Sequence, residues 1–181
     1  MPHATPLTFR VATTSDDDVN AILKLVRSAY RGDDSRAGWT TEADLVADER
    51  IDAAGVRAKI DEPQGVILTA YDDTGRLASC CEILRRDDEL AYFGLFAVDP
   101  TRQAGGIGRQ VLAEAEEYAR KVFGVQKMEM NVIFPREELI AWYIRRGYTK
   151  TDETKPFPYE QLVNGKALRD DLYFSVLVKE L

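Results

Sequence analysis

Three glycines stand between an apolar segment and an amphipathic one, and they are the residues of this chain best suited to binding an anion. The apolar segment is Phe93–Asp99, the glycines are Gly105, Gly106 and Gly108, and the amphipathic pattern reaches Arg120. Glycines let backbone N–H groups approach a ligand closely, and a helix start adds unpaired donors and partial positive charge. The order strand, glycine loop, helix therefore predicts a phosphate or pyrophosphate site.

Known phosphate-binding patterns narrow the choice of ligand. A P-loop carries Lys and then Ser or Thr after its last glycine, whereas Arg109 and Gln110 follow Gly108 here. A dinucleotide fingerprint has a further glycine three residues after Gly108, where this chain has Val111, which disfavours an NAD-dependent dehydrogenase. What remains is Gln-x-x-Gly-x-Gly from Gln103 to Gly108, directly after a strand ending Val-Asp-Pro.

This pattern resembles the acetyl-CoA pyrophosphate loop of the GNAT superfamily of N-acetyltransferases. A second segment, Asn131–Thr151, supports the resemblance with the string Ala-Trp-Tyr-Ile-Arg-Arg-Gly-Tyr. Gly147 stands where a helix stop belongs, and Tyr143 lies four residues before it. In the family, the tyrosine at this spacing lies near the coenzyme sulfur and often acts as the general acid, so the resemblance implies that role for Tyr143.

The resemblance implies acetyl-CoA as cosubstrate, no metal, and transfer to a primary amine of a small molecule in a ternary complex. A protein or peptide acetyltransferase and a non-catalytic CoA-binding module are the alternatives. The implied coenzyme contacts come from a strand end, the glycine loop and two later residues: Phe96, Ala97, Val98, Gln103, Ala104, Gly105, Gly106, Ile107, Gly108, Arg109, Asn131 and Tyr143.

The base that would deprotonate the amine is less well defined. Some family members carry a glutamate on the strand before the loop, where this chain has Tyr92. Glu82 and Glu129 are the replacements that the sequence offers, with Glu82 slightly favoured, and a water chain is a third option.

The acceptor pocket is expected to be walled by residues whose positions match that part of the family fold. Its predicted lining is Tyr30, Arg31, Trp39, Tyr92 and Tyr173. Arg31 or Arg36 is also suited to gripping a carboxylate.

Length and composition agree with a single domain over residues 1–181, which the resemblance identifies as a GNAT domain. A net charge of −7 argues against nucleic-acid binding, no apolar run reaches membrane-spanning length, and the two cysteines are adjacent, so a cytoplasmic protein is expected. His3 is the only histidine, which disfavours Ser-His or Cys-His catalysis and a histidine-containing zinc site. The family resemblance leaves a homodimer open.

The pattern of elements predicts an α/β (α+β) fold with a twisted mixed sheet of about seven strands and helices on both faces. Ser15 is expected to begin the first helix, and Thr41 to cap a second one that bears Leu45 and Val46. Three strands before the glycine loop are expected to be antiparallel, and a helix is expected over residues 136 to 146.

Overall fold

The helices and strands follow one another largely as the sequence predicts, except in the segment between the first helix and residue 52. The computed structural model describes residues 4–181, and His3 lies outside them. Helices are α1 Asp16–Tyr30, α2 Gly32–Ser35, α3 Ala53–Asp61, α4 Ile107–Tyr118 and α5 Glu137–Ile144. Strands are β1 Thr8–Val11, β2 Val46–Ala47, β3 Gly65–Tyr71, β4 Leu77–Arg85, β5 Leu90–Val98, β6 Lys127–Ile133, β7 Thr149–Pro156, β8 Lys166–Ala167 and β9 Tyr173–Glu180.

The main sheet has seven strands in the order β1-β3-β4-β5-β6-β9-β7, which confirms the predicted fold class. The pairs are antiparallel except for β5 and β6, which run parallel. The connection from β5 to β6 passes through the glycine loop and α4, so the phosphate-site pattern lies on the one parallel crossover of the sheet. No helix in the described part of the chain is long and apolar enough to cross a membrane.

Helices cover both faces of the sheet, and each face has its own apolar core. On one face Val19, Ile22 and Val26 of α1 pack with Cys80. On the other face the core includes Cys81 together with the apolar side of α4. The adjacent cysteines therefore point to opposite faces, as alternation along a strand requires, and both are buried free thiols.

The predicted helix after Thr41 is wrong. The backbone makes only a short turn there, in which the N–H groups of Leu45 and Val46 both donate to the Glu42 carbonyl, at 2.9 and 3.0 Å. Val46 then enters β2, which pairs with β8 in a small second sheet. Tertiary contacts override the local helical pattern, because the Glu42 side chain is held by two arginines from other segments.

The two central strands separate part-way along their length, and this opening positions the site. β5 and β6 pair at three positions, from Leu90–Lys127 to Tyr92–Glu129. Beyond them β5 is bulged against β4 and Leu95 has a φ of 47°, in the left-handed region. Both strands continue past this point with no further pairing to each other within residues 4–181, which leaves a gap between them.

Candidate functional site

Two cavities meet around the gap between β5 and β6. The first, called here the Gly106 cavity, has a volume of about 300 Å³ and is lined by the glycine loop, the end of β5 and one side of α5. The second, the Arg50 cavity, has a volume of about 240 Å³ and is lined from both sides of the gap, by residues 92–96 of β5 and 130–133 of β6. Five side chains line both cavities and form their common wall: Tyr30, Phe96, Arg136, Leu139 and Tyr143.

Tyr143, the residue predicted as the general acid, is one of the side chains of this common wall. It is only 4 % exposed and packs edge-on against Trp142 and Tyr148, with ring centroids 5.1 and 5.8 Å away. Its hydroxyl makes no hydrogen bond to any residue in the range 4–181, and burial raises the pKa of Tyr143 well above its usual value. The phenol is therefore neutral at physiological pH and keeps its proton available to a bound molecule.

The glycine loop forms a tight turn at the mouth of the Gly106 cavity. Gln103–Gly105 make a turn of 3₁₀ helix, Gly106 is left-handed with φ 72° and ψ 15°, and α4 begins at Ile107. A side chain at Gly106 would be strained by that φ, whereas a Cβ at Gly108 would lie 3.5–3.7 Å from Phe96, Trp142 and Val98. All three of those residues line the cavity, so any larger residue at position 108 would extend into it.

Gln103, predicted as a coenzyme contact, uses its side-chain amide on the protein itself. Its Nε2 donates to the Val98 carbonyl at 3.3 Å, and its Oε1 accepts from the Trp39 N–H at 2.9 Å. Gln103 lines the Gly106 cavity, and its two hydrogen bonds connect the loop at Trp39 to the end of β5. Its evident role is to hold the rim of the cavity in place.

The Gly106 cavity carries positive charge with no carboxylate in its lining. Arg109, Arg136 and Arg146 contribute guanidinium groups. Arg146 stacks over Trp142 at 3.7 Å and donates to the Trp142 carbonyl at 2.9 Å. Burial, followed by repulsion from Arg145 and Arg109, lowers the pKa of Arg146. Arg136 is paired with Glu42, whereas Arg109 and Arg146 have no carboxylate partner within residues 4–181, and their charges favour an anionic ligand.

Arg146 was not predicted as a site residue, although the helical spacing of residues around Tyr143 could have indicated it. Leu139, Trp142, Tyr143 and Arg146 are spaced i, i+3, i+4 and i+7, and all four line the Gly106 cavity. That spacing places them on one side of α5 and its last turn. Of the arginines flanking the glycine loop, Arg102 is bound to Asp72, whereas the exposed Arg109 faces the cavity.

The Arg50 cavity is built by side chains from distant segments. Tyr92 lies across Gly94, where a Cβ would come within 2.6 Å of the tyrosine ring. Arg86 stacks on the Tyr92 ring at 4.7 Å, and burial raises the pKa of the phenol. Asn131 lines this cavity and not the Gly106 cavity, so the structure places it away from the predicted coenzyme side.

A buried ionic network supports the wall of the Arg50 cavity. Arg31 donates to Glu42 and to Asp48, each at 2.5 Å, and Arg136 donates to the other oxygen of Glu42 at 2.9 Å. Burial alone would raise the pKa of Glu42, but Arg136, Arg31 and Arg50 outweigh it, and the pKa lies below its usual value. Arg31, predicted as a substrate contact, lines the cavity with its charge already committed to this network.

Buried polar atoms without partners concentrate at the two cavities. Within the described residues there are four: Nε of Arg85, Arg136 and Arg146, and Oδ1 of Asn131. The last three belong to residues that line one or both cavities. Native proteins pair nearly all such atoms, so their accumulation here is typical of a functional site.

Two predicted wall residues lie elsewhere. Trp39 is 49 % exposed and lines the Gly106 cavity rather than the acceptor side. Tyr173 lines neither cavity and stacks on Phe134 with ring centroids 4.8 Å apart, while its neighbour Phe174 lines the Arg50 cavity. Successive side chains of a strand point to opposite faces, so the register of β9 selects Phe174. Tyr30 and Tyr92 do line the Arg50 cavity.

The two glutamates predicted as the base lie outside both linings, on opposite sides of the gap. Both carboxylate oxygens of Glu82 accept from Lys59 at 3.0 Å, and Glu129 accepts from Lys155 at 2.7 Å. The structure therefore does not bring either carboxylate together with Tyr143.

Comparison with known proteins gives one family and many structures of the same fold. The model of the acetyltransferase (GNAT) family matches residues 20–148. A search of curated proteins found no match. The spermidine N-acetyltransferase of Vibrio cholerae, solved with CoA and spermine, is 14 % identical with a TM-score of 0.68, covering 96 % of this chain and 95 % of the other.

Two further structures cover almost the whole of both chains. The PaiA N-acetyltransferase of Thermoplasma acidophilum, solved with CoA, is 15 % identical with a TM-score of 0.67, covering 97 % of this chain and 99 % of the other. A candidate phosphinothricin N-acetyltransferase is 15 % identical with a TM-score of 0.70 at the same coverage. The sequence resemblance is confirmed by the family match: the chain belongs to the acetyltransferase (GNAT) family.

Proposed function

We propose that this protein transfers the acetyl group of acetyl-CoA directly to a primary amine of a small molecule, with both substrates bound together. The observation that carries the proposal is that the two cavities meet at Tyr143. An acyl donor in one cavity and an amine in the other would face each other across this side chain. No covalent enzyme intermediate is needed when both substrates are held in contact.

The residues of the Gly106 cavity fit the coenzyme. The guanidinium groups of Arg109 and Arg146, neither of which pairs with a carboxylate of residues 4–181, suit its phosphates. The left-handed Gly106 and the N–H groups at the start of α4 suit them as well. The edge of β5 that faces β6 is unpaired beyond Tyr92, so backbone groups of Phe96, Ala97 and Val98 are proposed to bind the pantetheine arm. The Vibrio and Thermoplasma proteins of the same fold were solved with CoA.

The chain's own residues are proposed to take part in one step of the transfer, the protonation of the leaving thiolate. In the transfer a C–N bond forms, the C–S bond breaks, the amine nitrogen loses a proton and the thiolate gains one. Tyr143 is proposed to donate that proton, or a hydrogen bond, to the sulfur, because its raised pKa keeps it protonated. Because Glu82 and Glu129 lie outside both cavities, a water chain is the proposed route by which the amine loses its proton.

The walled Arg50 cavity favours a small acceptor over a protein or peptide, because its lining comes from both sides of the gap. A catalytic role, as opposed to CoA binding alone, is supported by Tyr143 lying where the cavities join. A single domain over residues 1–181, a cytoplasmic location, a homodimer and the absence of nucleic-acid or membrane partners remain predictions.

A thiol-release assay with a panel of primary amines tests the proposal. We expect calorimetric binding of acetyl-CoA and amine-dependent release of free CoA, with the acetylated amine identified by mass spectrometry. Binding without release by any amine would leave a CoA-binding module, and the absence of binding would contradict the proposal altogether.

A further inference from the structure

We propose that the acceptor carries a carboxylate as well as its amine, and that Arg50 binds this carboxylate. The inference rests on the proposed acetyl transfer and adds the substrate class to it. The sequence suggested that Arg31 or Arg36 binds this carboxylate, but in the structure both arginines pair with carboxylates of the protein. Arg31 is held by Glu42 and Asp48, and Arg36 pairs with Asp44 and Asp33 on the surface.

The charges that line the Arg50 cavity do not cancel. The lining holds three guanidinium groups, of Arg31, Arg50 and Arg136, against two carboxylates, of Glu42 and Asp48. Arg31 binds both carboxylates and Arg136 binds Glu42, whereas no carboxylate of residues 4–181 lies within 4 Å of the Arg50 guanidinium. The lining is thus left with one cation that lacks a direct counter-ion.

The backbone holds Arg50 in place at an energetic cost. Its φ of 65° lies in the left-handed region, which residues other than Gly, Asn and Asp seldom adopt. The Asp48 carboxylate accepts from the Arg50 N–H at 3.0 Å while it also binds Arg31 and the Val163 N–H. Strain that the surroundings enforce in this way is concentrated at functional sites.

The side chain of Arg50 is also positioned by stacking. Its guanidinium lies over the Tyr30 ring, 5.0 Å from the centroid, and Tyr30 belongs to the wall shared with the Gly106 cavity. Stacking leaves the edge of the planar guanidinium, with its N–H donors, available to a carboxylate. A carboxylate held there would orient the amine of the same molecule within the cavity that Tyr143 closes.

The charge of the Arg50 cavity disfavours a polyamine as the acceptor. The Vibrio cholerae structure contains spermine, which has amines and no anionic group. In the Arg50 cavity a second ammonium group would meet an excess of positive charge, because both lining carboxylates are already engaged by arginines. An amino acid supplies the complementary charge.

The test compares matched acceptors and matched variants. Amino acids with α-, β- and ω-amines, their carboxamides, the corresponding decarboxylated amines, and spermidine are assayed with acetyl-CoA. We expect kcat/KM to be at least about tenfold higher for an acid than for its amide, since one charge-assisted pair is worth roughly that factor. Arg50→Asn, which suits the left-handed backbone, should abolish this preference by raising the KM of the acid alone.

Arg57→Gln removes the same charge from a surface arginine that pairs with Asp16, and it should leave the preference intact. Equal rates for acids and amides, a preference retained in Arg50→Asn, or turnover of no acid in the panel would overturn the inference. Acetyl-CoA binding together with turnover of neutral amines or spermidine would still uphold acetyl transfer, so the two claims fail separately.

Discussion

The Gly106 cavity and the Arg50 cavity share a wall but are assembled in different ways. Much of the Gly106 cavity comes from the loop 103–109 and from the i, i+3, i+4, i+7 stripe that ends at Arg146. The Arg50 cavity is drawn from segments as far apart as Tyr30, Arg50, Asn131 and Phe174, and a buried ionic network supports it. About half of the lining of the first cavity therefore comes from two local sequence patterns, whereas the second cavity depends on tertiary structure throughout.

The largest effect is expected from breaking the buried ionic network at Glu42, which supports the wall of the Arg50 cavity. Glu42→Gln leaves Arg31 and Arg136 without their common partner, and removing one member of a buried pair typically costs about 3–5 kcal/mol. We expect a loss of roughly that size in the free energy of unfolding, measured by urea denaturation. Asp44→Asn, which breaks only a surface pair with Arg36, should leave the unfolding midpoint unchanged.

The same ionic network is expected to make the free energy of unfolding fall at acid pH. Because the folded pKa values of Glu42 and Asp48 are lowered, their contribution is fully present above the unfolded values of about 4 and is lost as the pH falls through the folded values. The decline in stability below about pH 4 should be shallower in Glu42→Gln than in the wild type. An identical decline in both proteins would contradict the assigned role of the network.

The next effect tests the point where the cavities meet. Tyr143→Phe removes the hydroxyl with little change in packing, and we expect kcat to fall about tenfold to a thousandfold with acetyl-CoA affinity retained. Tyr148→Phe is the matched control, since Tyr148 packs against Tyr143, lines neither cavity and donates to Glu116. An unchanged kcat in Tyr143→Phe would reduce this residue to a packing role.

A third experiment tests the Gly106 cavity alone. Gly108→Val would add methyl groups beside Phe96 and Trp142 without the backbone strain of a substitution at Gly106. We expect acetyl-CoA to bind at least about tenfold more weakly by calorimetry, a loss of about 1.4 kcal/mol, with the melting temperature nearly unchanged. Wild-type affinity in the folded variant would place the coenzyme elsewhere.

The smallest effect is expected at the predicted bases. Glu82 and Glu129 are paired with Lys59 and Lys155 outside both cavities, so we expect Glu82→Gln and Glu129→Gln to keep the pH profile of kcat/KM. A flattened alkaline rise in either variant would identify that glutamate as the base and would show that the acceptor cavity extends to it.

The sequence predicted the parts of the site that depend on neighbours in the chain. The glycine spacing after an apolar strand and the four-residue spacing from Tyr143 to Gly147 are local signals, and the structure places both segments at one cavity. The register of β9, which brings Phe174 and not Tyr173 to the cavity, depends on strand pairing across the sheet.

The acceptor side was the least predictable part for the same reason. The segment after Thr41 looked helical because its local pattern is helical, yet Glu42 is fixed by Arg31 and Arg136, the latter 94 residues away. Arg50 has no local motif, and only its φ of 65° and the engagement of the neighbouring charges distinguish it. Such features depend on long-range contacts that a pattern of residue types does not encode.

The most direct test of the account is a crystal structure of the protein with CoA. The account predicts the pyrophosphate at the loop from Gly106 to Arg109, the pantetheine arm along β5, and the sulfur beside the Tyr143 hydroxyl, with the Arg50 cavity left open for the amine. CoA bound outside the Gly106 cavity, or with its sulfur away from Tyr143, would contradict the claim that the two cavities hold the two substrates.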